Sequence, residues 1–446
     1  MRTLLPGRIA DTVLRVPGDK SIGHRAAVLA LLAEGPLTIR NFPHSADCHA
    51  SLEAVRALGA TVADDGLELV LTPPPELRAD PDTVINCGNS GTTARLLAGL
   101  LAGSCVEVTL SGDESLRRRP MARIIDPLAA MGATIAASDG HLPMRVRGGR
   151  LLPFEYTLPV ASAQVKSALL LAGLASRCAV TIRETAITRD HTEILLAELG
   201  EGLAVRKVRP VLVADPHDPR KRRQEMPEPF KREITLASRA VVRGGTVDIP
   251  GDISTAAFFF AAAAISGKTI TVERVGLNPT RTGILEHLRG LGCRVDISER
   301  ETVTGEPRGT VAVTGAPLGA RRISGETTVE LVDEIPVIAV MAAFAEGTTV
   351  IRDAGELRVK ESDRLAAVAD NLKRMGAKCG LLEDGLAIEG GGQLEGADFR
   401  TYGDHRIAMA FAVASLFLTG PSTLDDDECV GVSCPTFFDL LNQIRA

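Results

Sequence analysis

The sequence SIGHRAAVLALLAEGPLTIR (residues 21–40) is the first copy of a pattern that organises the whole chain. It is typical of a helix of small and aliphatic residues, followed by a glycine stop and a β-branched strand. The pattern returns in SGTTARLLAGLLAGSCVEVTL (90–110), SAQVKSALLLAGLASRCAVTIR (162–183), STAAFFFAAAAISGKTITVE (254–273), IPVIAVMAAFAEGTTVIR (335–352) and HRIAMAFAVASLFLTGPSTL (405–424). Six copies along one chain indicate a fold built from repeated units.

A second, amphipathic helix follows each of these stretches. Segments such as DCHASLEAVRALGATV (47–62) and KESDRLAAVADNLKRMGAKC (360–379) reach a glycine and then a strand. We therefore predict an α/β protein of six strand–helix–strand–helix–strand units. The first helix of each unit is apolar nearly all round, which predicts that it is buried, whereas the second should cover the surface.

The chain also repeats as two halves. VPGDKS (16–21) is echoed by IPGDIS (249–254), which marks the start of the second half. We predict one three-unit domain over residues 20–249 and another over residues 1–19 with 250–446, with the functional site in the cleft between them. The charged, proline-rich segment 207–233 interrupts the pattern and indicates a solvated loop or hairpin tip, with a nucleic-acid patch as the alternative.

Composition excludes several classes of protein. The net charge is −6, aromatic residues make up 3% and tryptophan is absent, which argues against a nucleic-acid partner. The eight scattered cysteines form no CxxC pair and no histidine pair has metal-ligand spacing, so we expect free thiols and no metal or other cofactor. The longest apolar run, 407–418, is too short to span a bilayer, and no signal peptide is recognised. We expect a cytoplasmic monomer.

Polar and charged residues precede or begin the apolar helices, where burial would otherwise disfavour them. They include Lys20, Arg25, Asn89, Thr92, Ser162, Gln164, Asp333, His405 and Arg406. Helix N-termini offer free N–H groups and the positive end of the dipole, so several converging ends would bind anions. Helix capping alone would explain Ser90, Ser162 and Ser254, but it does not explain the cations beside them.

Three further motifs place charges at helix starts. RRRPM (117–121) puts three arginines before a proline, and a solvated run is as good an interpretation of Arg117 and Arg118 as a phosphate site. VKESDR (359–364) and VDEIP (332–336) set carboxylates beside cations. Such carboxylates can be acids or bases with shifted pKa values, or only helix-terminal acids.

Together these segments resemble the EPSP synthase family over nearly the whole chain. The matching segments, in family order, are VPGDKSIGHR, GNSGTTARLL, SLRRRPM, ASAQVKSALLLAGL, TRDHTE, NPTRTG, VDEIPVIAV, ELRVKESDR and YGDHRIAMAF. The resemblance implies two domains, each of three βαβαββ units around inner parallel helices. It also implies transfer of the enolpyruvyl group of phosphoenolpyruvate to the 5-hydroxyl of shikimate 3-phosphate through a tetrahedral ketal phosphate, without metal or organic cofactor.

The resemblance also assigns roles by position. Phosphoenolpyruvate would be held at its phosphate by Lys20, Gly91, Arg119 and Gln164, and at its carboxylate by Arg364 and Arg406. Shikimate 3-phosphate would be held by Lys20, Ser21, Arg25, Ser162, Gln164, Arg189, Asp333 and Lys360. Asp333 is similar to the base proposed for the 5-hydroxyl, and Glu361 and Lys20 to the groups proposed to move the methylene proton.

The chain departs from the family in two places and leaves two rivals open. One departure is the charged insertion around 221–233, which is longer than in family members, and the other is a missing lysine. Some members carry a lysine before the last helix that contacts phosphoenolpyruvate, whereas VGVSCPTFF (430–438) has none. The rivals are a UDP-N-acetylglucosamine enolpyruvyl transferase, whose cysteine loop has no counterpart here, and a non-catalytic anion-binding protein of the same fold. Because Gly91 is retained where some tolerant members carry alanine, we expect inhibition by glyphosate at the phosphoenolpyruvate site.

Overall fold

The structure is a computed structural model that describes residues 1–80, 82–214 and 222–446. Its α-helices within those residues are α1 Lys20–Ala30, α2 Ala46–Ala57, α3 Gly91–Ala102, α4 Glu114–Arg117, α5 Ala122–Ala130, α6 Ala163–Ser176, α7 His191–Leu199, α8 Ile253–Ser266, α9 Gly283–Gly290, α10 Glu326–Leu331, α11 Ile335–Phe344, α12 Arg364–Arg374, α13 His405–Ser415 and α14 Phe437–Gln443. Short 3-10 helices cover Gly355–Val359 and Glu428–Val432. The six predicted first helices are α1, α3, α6, α8, α11 and α13, which confirms the repeat.

The strands complete the units. They are β1 Arg2–Leu4, β2 Thr12–Leu14, β3 Leu37–Arg40, β4 Thr61–Asp64, β5 Glu68–Thr72, β6 Val84–Asn86, β7 Glu107–Ser111, β8 Thr134–Ser138, β9 His141–Arg147, β10 Phe154–Thr157, β11 Val180–Glu184, β12 Gly200–Lys207, β13 Val211–Ala214, β14 Arg222–Glu225, β15 Arg232–Val242, β16 Gly245–Asp248, β17 Thr269–Gly276, β18 Arg294–Val303, β19 Glu306–Thr314, β20 Arg322–Ile323, β21 Thr348–Ile351, β22 Lys378–Leu381, β23 Leu386–Glu389, β24 Asp398–Phe399 and β25 Ser422–Leu424.

Each unit folds a small mixed sheet. In the second unit the order is β6-β7-β9-β8, with β6 and β7 parallel and the other pairs antiparallel. The chain order β6-α3-β7-α5-β8-β9 is therefore the βαβαββ unit that the resemblance implied, with the short α4 added before α5.

In some units the sheet is completed by a strand from a distant part of the sequence. β16 pairs in parallel with β3 and completes the first sheet, whereas β2 pairs in parallel with β17 and completes the fourth. β1 pairs with β25, so the last unit, which has no strand after α14, takes one from the N-terminus. The two connections that result run side by side, with hydrogen bonds from Asp19 N to Pro250 O and from Asp252 N to Pro17 O, both 2.8 Å.

Buried apolar residues form two separate clusters. One runs from Ile22 to Ile249, and the other combines Leu4 to Val16 with residues from Ile253 to Ile444. We call the corresponding parts of the chain the first and second halves. The first helices supply much of both cores, as predicted; in α8, every residue from Ile253 to Ala264 is buried.

Small residues let the inner helices pack closely. A Cβ added to Gly99 of α3 would lie 2.1 Å from the carbonyl oxygen of Ala168 in α6, and one added to Gly103 would lie 2.3 Å from that of Ala172. Only glycine permits so close a contact between two backbones. This packing brings the N-termini of α3 and α6, and the residues they carry, to the same end of the first half.

The structure describes part of the charged, proline-rich segment 207–233. Within this segment, which was predicted as a loop or hairpin tip, β13 and β14 form an antiparallel hairpin, and residues 215–221 lie outside the described residues. The eight cysteines are all free thiols. No helix in the described parts of the chain is long and apolar enough to cross a membrane.

Candidate active site

The start of α1 holds a lysine in a half-buried ion pair. Asp19 caps the helix by accepting hydrogen bonds from the backbone N–H groups of Ser21 (2.7 Å) and Ile22 (3.2 Å). This fixes the backbone at Lys20, whose Nζ lies 2.8 Å from Oδ2 of Asp47 in α2. Burial opposes the charge on Lys20, but Asp47 and other carboxylates outweigh burial and raise its pKa. Lys20 is therefore a protonated ammonium at neutral pH.

Arg25 lies one turn further along α1 and is only 4% exposed. Its guanidinium donates to neutral oxygens: Thr192 Oγ1 (2.8 Å), Ser21 O (2.8 Å) and Ser167 Oγ (3.2 Å). Burial, only partly offset by Glu193, lowers the pKa of Arg25 to about 10. A buried cation with neutral hydrogen-bond partners is suited to an anionic ligand.

The start of α3 is tied to α6 by a second arginine. Arg95 donates to Gln164 Oε1 (3.0 Å), Gly91 O (3.3 Å) and Pro120 O (3.3 Å), while Gln164 Nε2 donates to Thr92 Oγ1 (2.9 Å). Burial, together with the neighbouring arginines, lowers the pKa of Arg95 to about 9. Arg95 was not among the predicted site residues, although it lies in the matching segment GNSGTTARLL (88–97).

Only one arginine of the 117–119 run points into this region. Arg119 is 6% exposed and donates to Asn89 Oδ1 at 2.6 Å. Arg118 is exposed and pairs with Glu114, and Arg117 donates to Ser111 Oγ at 3.1 Å. The solvated interpretation therefore holds for Arg117 and Arg118, which are both exposed, whereas Arg119 is the buried arginine of the run.

Carboxylates of the second half meet these cations. Glu361 lies 3.4 Å from Arg119 and 2.5 Å from Arg364, which also pairs with Asp404 at 2.8 Å. Burial alone would raise the pKa of Glu361, but Arg364 and Arg119 hold it well below its ordinary value. Glu361 is thus an ionised carboxylate at the boundary between the halves.

Asp333 is the second carboxylate at this boundary. It forms an ion pair with Arg189 of the first half and lies 3.6 Å from Arg364 and 3.9 Å from Arg406. Burial favours its neutral form, but Arg189 and Arg406 hold the pKa of Asp333 well below its ordinary value. Burial lowers the pKa of the adjacent Lys360, although Asp333 opposes that shift.

The two halves therefore share one charged site, which we call the interface site. Besides Arg119 with Glu361 and Arg189 with Asp333, Ser115 Oγ donates to the carbonyl oxygen of Glu361 at 3.0 Å. Arg119 and Arg189, which could bind an anionic ligand, are paired with carboxylates of the opposite half, so such a ligand would compete with those carboxylates. The arrangement can bind anions and move protons at adjacent positions.

The predicted residues are placed in different ways. Lys20, Arg119, Arg189, Asp333, Glu361, Arg364 and Arg406 belong to one network of contacts and electrostatic interactions. Gly91 and Gln164 are joined through Arg95, and Arg25 is bound to Ser21. The Ser162 side chain caps α6 by accepting from Val165 N at 3.4 Å. No cluster of three or more metal-ligating side chains occurs among the described residues.

Comparison with known proteins identifies what the chain is similar to. The family model described as EPSP synthase (3-phosphoshikimate 1-carboxyvinyltransferase) matches residues 5–223 and 228–441. The 3-phosphoshikimate 1-carboxyvinyltransferase of Anaeromyxobacter sp. (strain K) is 48% identical over 97% of this chain and 93% of its own. That of Synechocystis sp. (strain ATCC 27184 / PCC 6803 / Kazusa) is 44% identical over 97% of this chain and 93% of its own.

A solved structure has the same fold. The structure of EPSP synthase from Acinetobacter baumannii is 36% identical and covers 99% of this chain and 98% of its own, with a TM-score of 0.81. The likeness thus extends over both halves and the boundary between them.

Proposed function

The chain belongs to the EPSP synthase family, and we propose that the interface site is where it transfers the enolpyruvyl group of phosphoenolpyruvate to the 5-hydroxyl of shikimate 3-phosphate. The reaction belongs to the shikimate pathway. One observation carries the assignment of the site: Asp333 and Glu361, two carboxylates of the second half, each pair with an arginine of the first. These ion pairs support the proposal, because they would hold proton-transfer groups beside anion-binding groups.

The phosphate of phosphoenolpyruvate would lie at the N-terminus of α3. The backbone at Gly91, the ammonium of Lys20, the guanidinium of Arg119 and the amide of Gln164 offer donors there, and a helix N-terminus favours negative charge. The same donors would stabilise the phosphate as it leaves. Arg364 and Arg406, on α12 and α13, would bind the carboxylate at the other end.

Shikimate 3-phosphate would lie beside it. Ser21 and Arg25 would bind its carboxylate, while Ser162, Gln164 and Arg189 would bind its phosphate. In support, Arg25 is a buried cation whose hydrogen bonds go to neutral oxygens. Asp333 and Lys360 would contact the ring hydroxyls, with Asp333 placed to accept the proton of the 5-hydroxyl.

The chemistry follows by addition and elimination. The 5-hydroxyl oxygen bonds to C2 of phosphoenolpyruvate as its proton passes to Asp333, and a proton is added at C3 to give a methyl group. The resulting ketal phosphate then loses a methyl proton, the C2–C3 double bond re-forms and the C2–O bond to phosphate breaks. The proton held by Asp333 ends on the released phosphate, which regenerates the carboxylate. Glu361 and Lys20, which interact electrostatically, would carry the proton to and from C3.

Phosphate release should require both substrates. We expect turnover only with phosphoenolpyruvate and shikimate 3-phosphate together, and we expect it to persist in excess chelator because the family reaction uses no metal. A coupled phosphate assay measures this. Activity with UDP-N-acetylglucosamine in place of shikimate 3-phosphate would establish the rival transferase, and binding of both ligands without turnover would favour the non-catalytic rival.

Glyphosate should inhibit, and Gly91→Ala should weaken inhibition more than substrate binding. A Cβ at Gly91 would lie 2.6 Å from Arg95 Nη1 and 3.3 Å from Arg119 Nη1, so the methyl group would displace donors at the phosphate end. We expect the longer inhibitor to lose more from this crowding. The inhibition constant and the KM for phosphoenolpyruvate should be measured on one preparation. Equal changes would show that Gly91 does not line the space that distinguishes the two ligands.

We also propose that the protein acts as a cytoplasmic monomer. In support, residues of a single chain supply every group assigned above. Sedimentation at assay concentration would test the monomer, since a stable dimer with full activity would contradict it.

A further inference from the structure

Arg281 is a buried arginine to which neither the composition nor the family resemblance assigned a role. It lies in the NPTRTG segment (278–283) just before α9 and is 4% exposed. The turn that presents it is fixed, because Asn278 Oδ1 accepts from Thr280 N at 2.9 Å and Arg281 N donates to Asn278 O at 2.8 Å.

The guanidinium spans the two connections between the halves. Nη1 lies 3.4 Å from both Asp19 Oδ2 and Ser21 Oγ. Nη2 lies 3.3 Å from Asp252 Oδ1 and 2.8 Å from Ser254 Oγ. Each nitrogen therefore contacts one copy of the same Asp-x-Ser sequence, GDKS at 18–21 and GDIS at 251–254. A planar guanidinium has two terminal nitrogens and can donate to both Asp-x-Ser copies at once, whereas a single ammonium is not suited to this.

The second copy, GDIS at 251–254, contains a continuous chain of hydrogen bonds from Arg281 through a serine to a carboxylate. Arg281 Nη2 donates to Ser254 Oγ, and Ser254 Oγ in turn donates to the carboxylate of Glu334. A serine hydroxyl that accepts from a cation keeps its own proton available for an acceptor. In the first copy, Arg281 Nη1 contacts Ser21 Oγ in the corresponding way.

We propose that Arg281 is a positioning residue that orients the Ser21 hydroxyl so that it donates to the carboxylate of shikimate 3-phosphate, as Ser254 donates to Glu334. This rests on the proposed function, which places that carboxylate at Ser21 and Arg25. Arg281 also helps to hold the cap of α1: burial opposes the charge on Asp19, but Arg281 and other cations lower its pKa to about 2. The guanidinium thereby supports both the helix start and the hydroxyl.

The test is a double-mutant cycle on substrate binding. Wild type must first release phosphate from the two substrates. If it does not, the proposed function itself fails, and this result is distinct from a failure of the role proposed for Arg281. The dissociation constant of shikimate 3-phosphate is then measured by calorimetry for wild type, Arg281→Gln, Ser21→Ala and the double variant. We expect Arg281→Gln to weaken binding about tenfold or more, the scale of a hydrogen bond to a charged group. In the Ser21→Ala background the same change should have a much smaller effect.

Two further variants separate positioning from structural support. Arg308, 3% exposed, also joins the halves by pairing with Asp248 (2.8 Å) and Glu301 (2.7 Å), so Arg308→Gln controls for loss of a buried interface arginine. Arg281→Lys keeps the positive charge but lacks the two terminal nitrogens of the guanidinium. It also replaces Arg281→Gln in the double-mutant cycle if the glutamine variant does not fold. We expect Arg281→Lys to bind weakly and Arg308→Gln to bind like wild type.

Either of two results would overturn the proposal. One is an equal effect of the Arg281 change with and without Ser21. The other is wild-type binding by Arg281→Lys, since a single ammonium would then suffice.

Discussion

Replacing Glu361 with glutamine should lower kcat by about a hundredfold or more, the usual scale for losing a general acid–base group. Glutamine keeps the shape of the side chain but cannot accept the proton that Glu361 would take from the methyl group. The pKa of Glu361 lies well below its ordinary value, so the wild-type side chain is a carboxylate at neutral pH. Steady-state phosphate release at saturating levels of both substrates measures the change.

The effect on KM should be small. Glu361 lies between Arg119 and Arg364, and removal of its negative charge takes away one carboxylate that competes with anionic phosphoenolpyruvate for both cations. We therefore expect the KM for that substrate to stay level or to fall, which separates a role in proton transfer from a role in binding. Near-normal kcat in Glu361→Gln would remove this residue from the mechanism.

Glu356→Gln provides a matched control. Glu356 pairs with Arg123 across the same boundary at 2.8 Å, but no part of the proposed reaction uses it. Its loss removes one partly exposed ion pair, and such pairs contribute little. A kcat as low in this variant as in Glu361→Gln would mean that the boundary itself, not Glu361, controls turnover.

The repeat made most of the fold predictable. Apolar periodicity and glycine stops located the six inner helices, and the echoed segments VPGDKS and IPGDIS lie side by side in the structure. The pairing of the N-terminal strands with strands of the second half was only partly predictable. β1 is three residues long, and its pairing with β25 joins Arg2 to Leu424, a partnership that no local pattern encodes.

The partners of the site residues were less predictable than the residues themselves. Lys20 was singled out because charges beside apolar helices are unusual, whereas Arg119 was named from the RRRPM motif and the family resemblance. Asp47, which pairs with Lys20, lies in the first turn of an amphipathic helix. An acidic residue is common there because it stabilises the helix N-terminus, so the sequence did not indicate that Asp47 contacts Lys20. Arg95 lies within the apolar run of α3, and its bond to Gln164 depends on how closely α3 and α6 pack.

Replacing Asp333 with asparagine should also lower kcat by about 10²-fold to 10⁴-fold, because asparagine cannot accept the proton of the 5-hydroxyl. In the structure, Arg189 and Arg406 outweigh burial and hold the pKa of Asp333 well below its ordinary value. Such a carboxylate is a weak base. We expect the phosphate of shikimate 3-phosphate to compete for Arg189, which would raise the pKa of Asp333 and make it a better base when the substrate is in place.

This competition predicts opposite effects of Asp333→Asn on turnover and on binding. The variant leaves Arg189 without its carboxylate partner, so the dissociation constant of shikimate 3-phosphate, measured by calorimetry, should stay level or fall while kcat collapses. Thermal unfolding of the same preparation checks that the variant is folded. A weaker affinity with normal kcat would make Asp333 a binding group for the ring hydroxyls and would leave the 5-hydroxyl proton to another acceptor. Loss of both would mean that the Arg189–Asp333 pair is needed to hold the two halves in their productive arrangement.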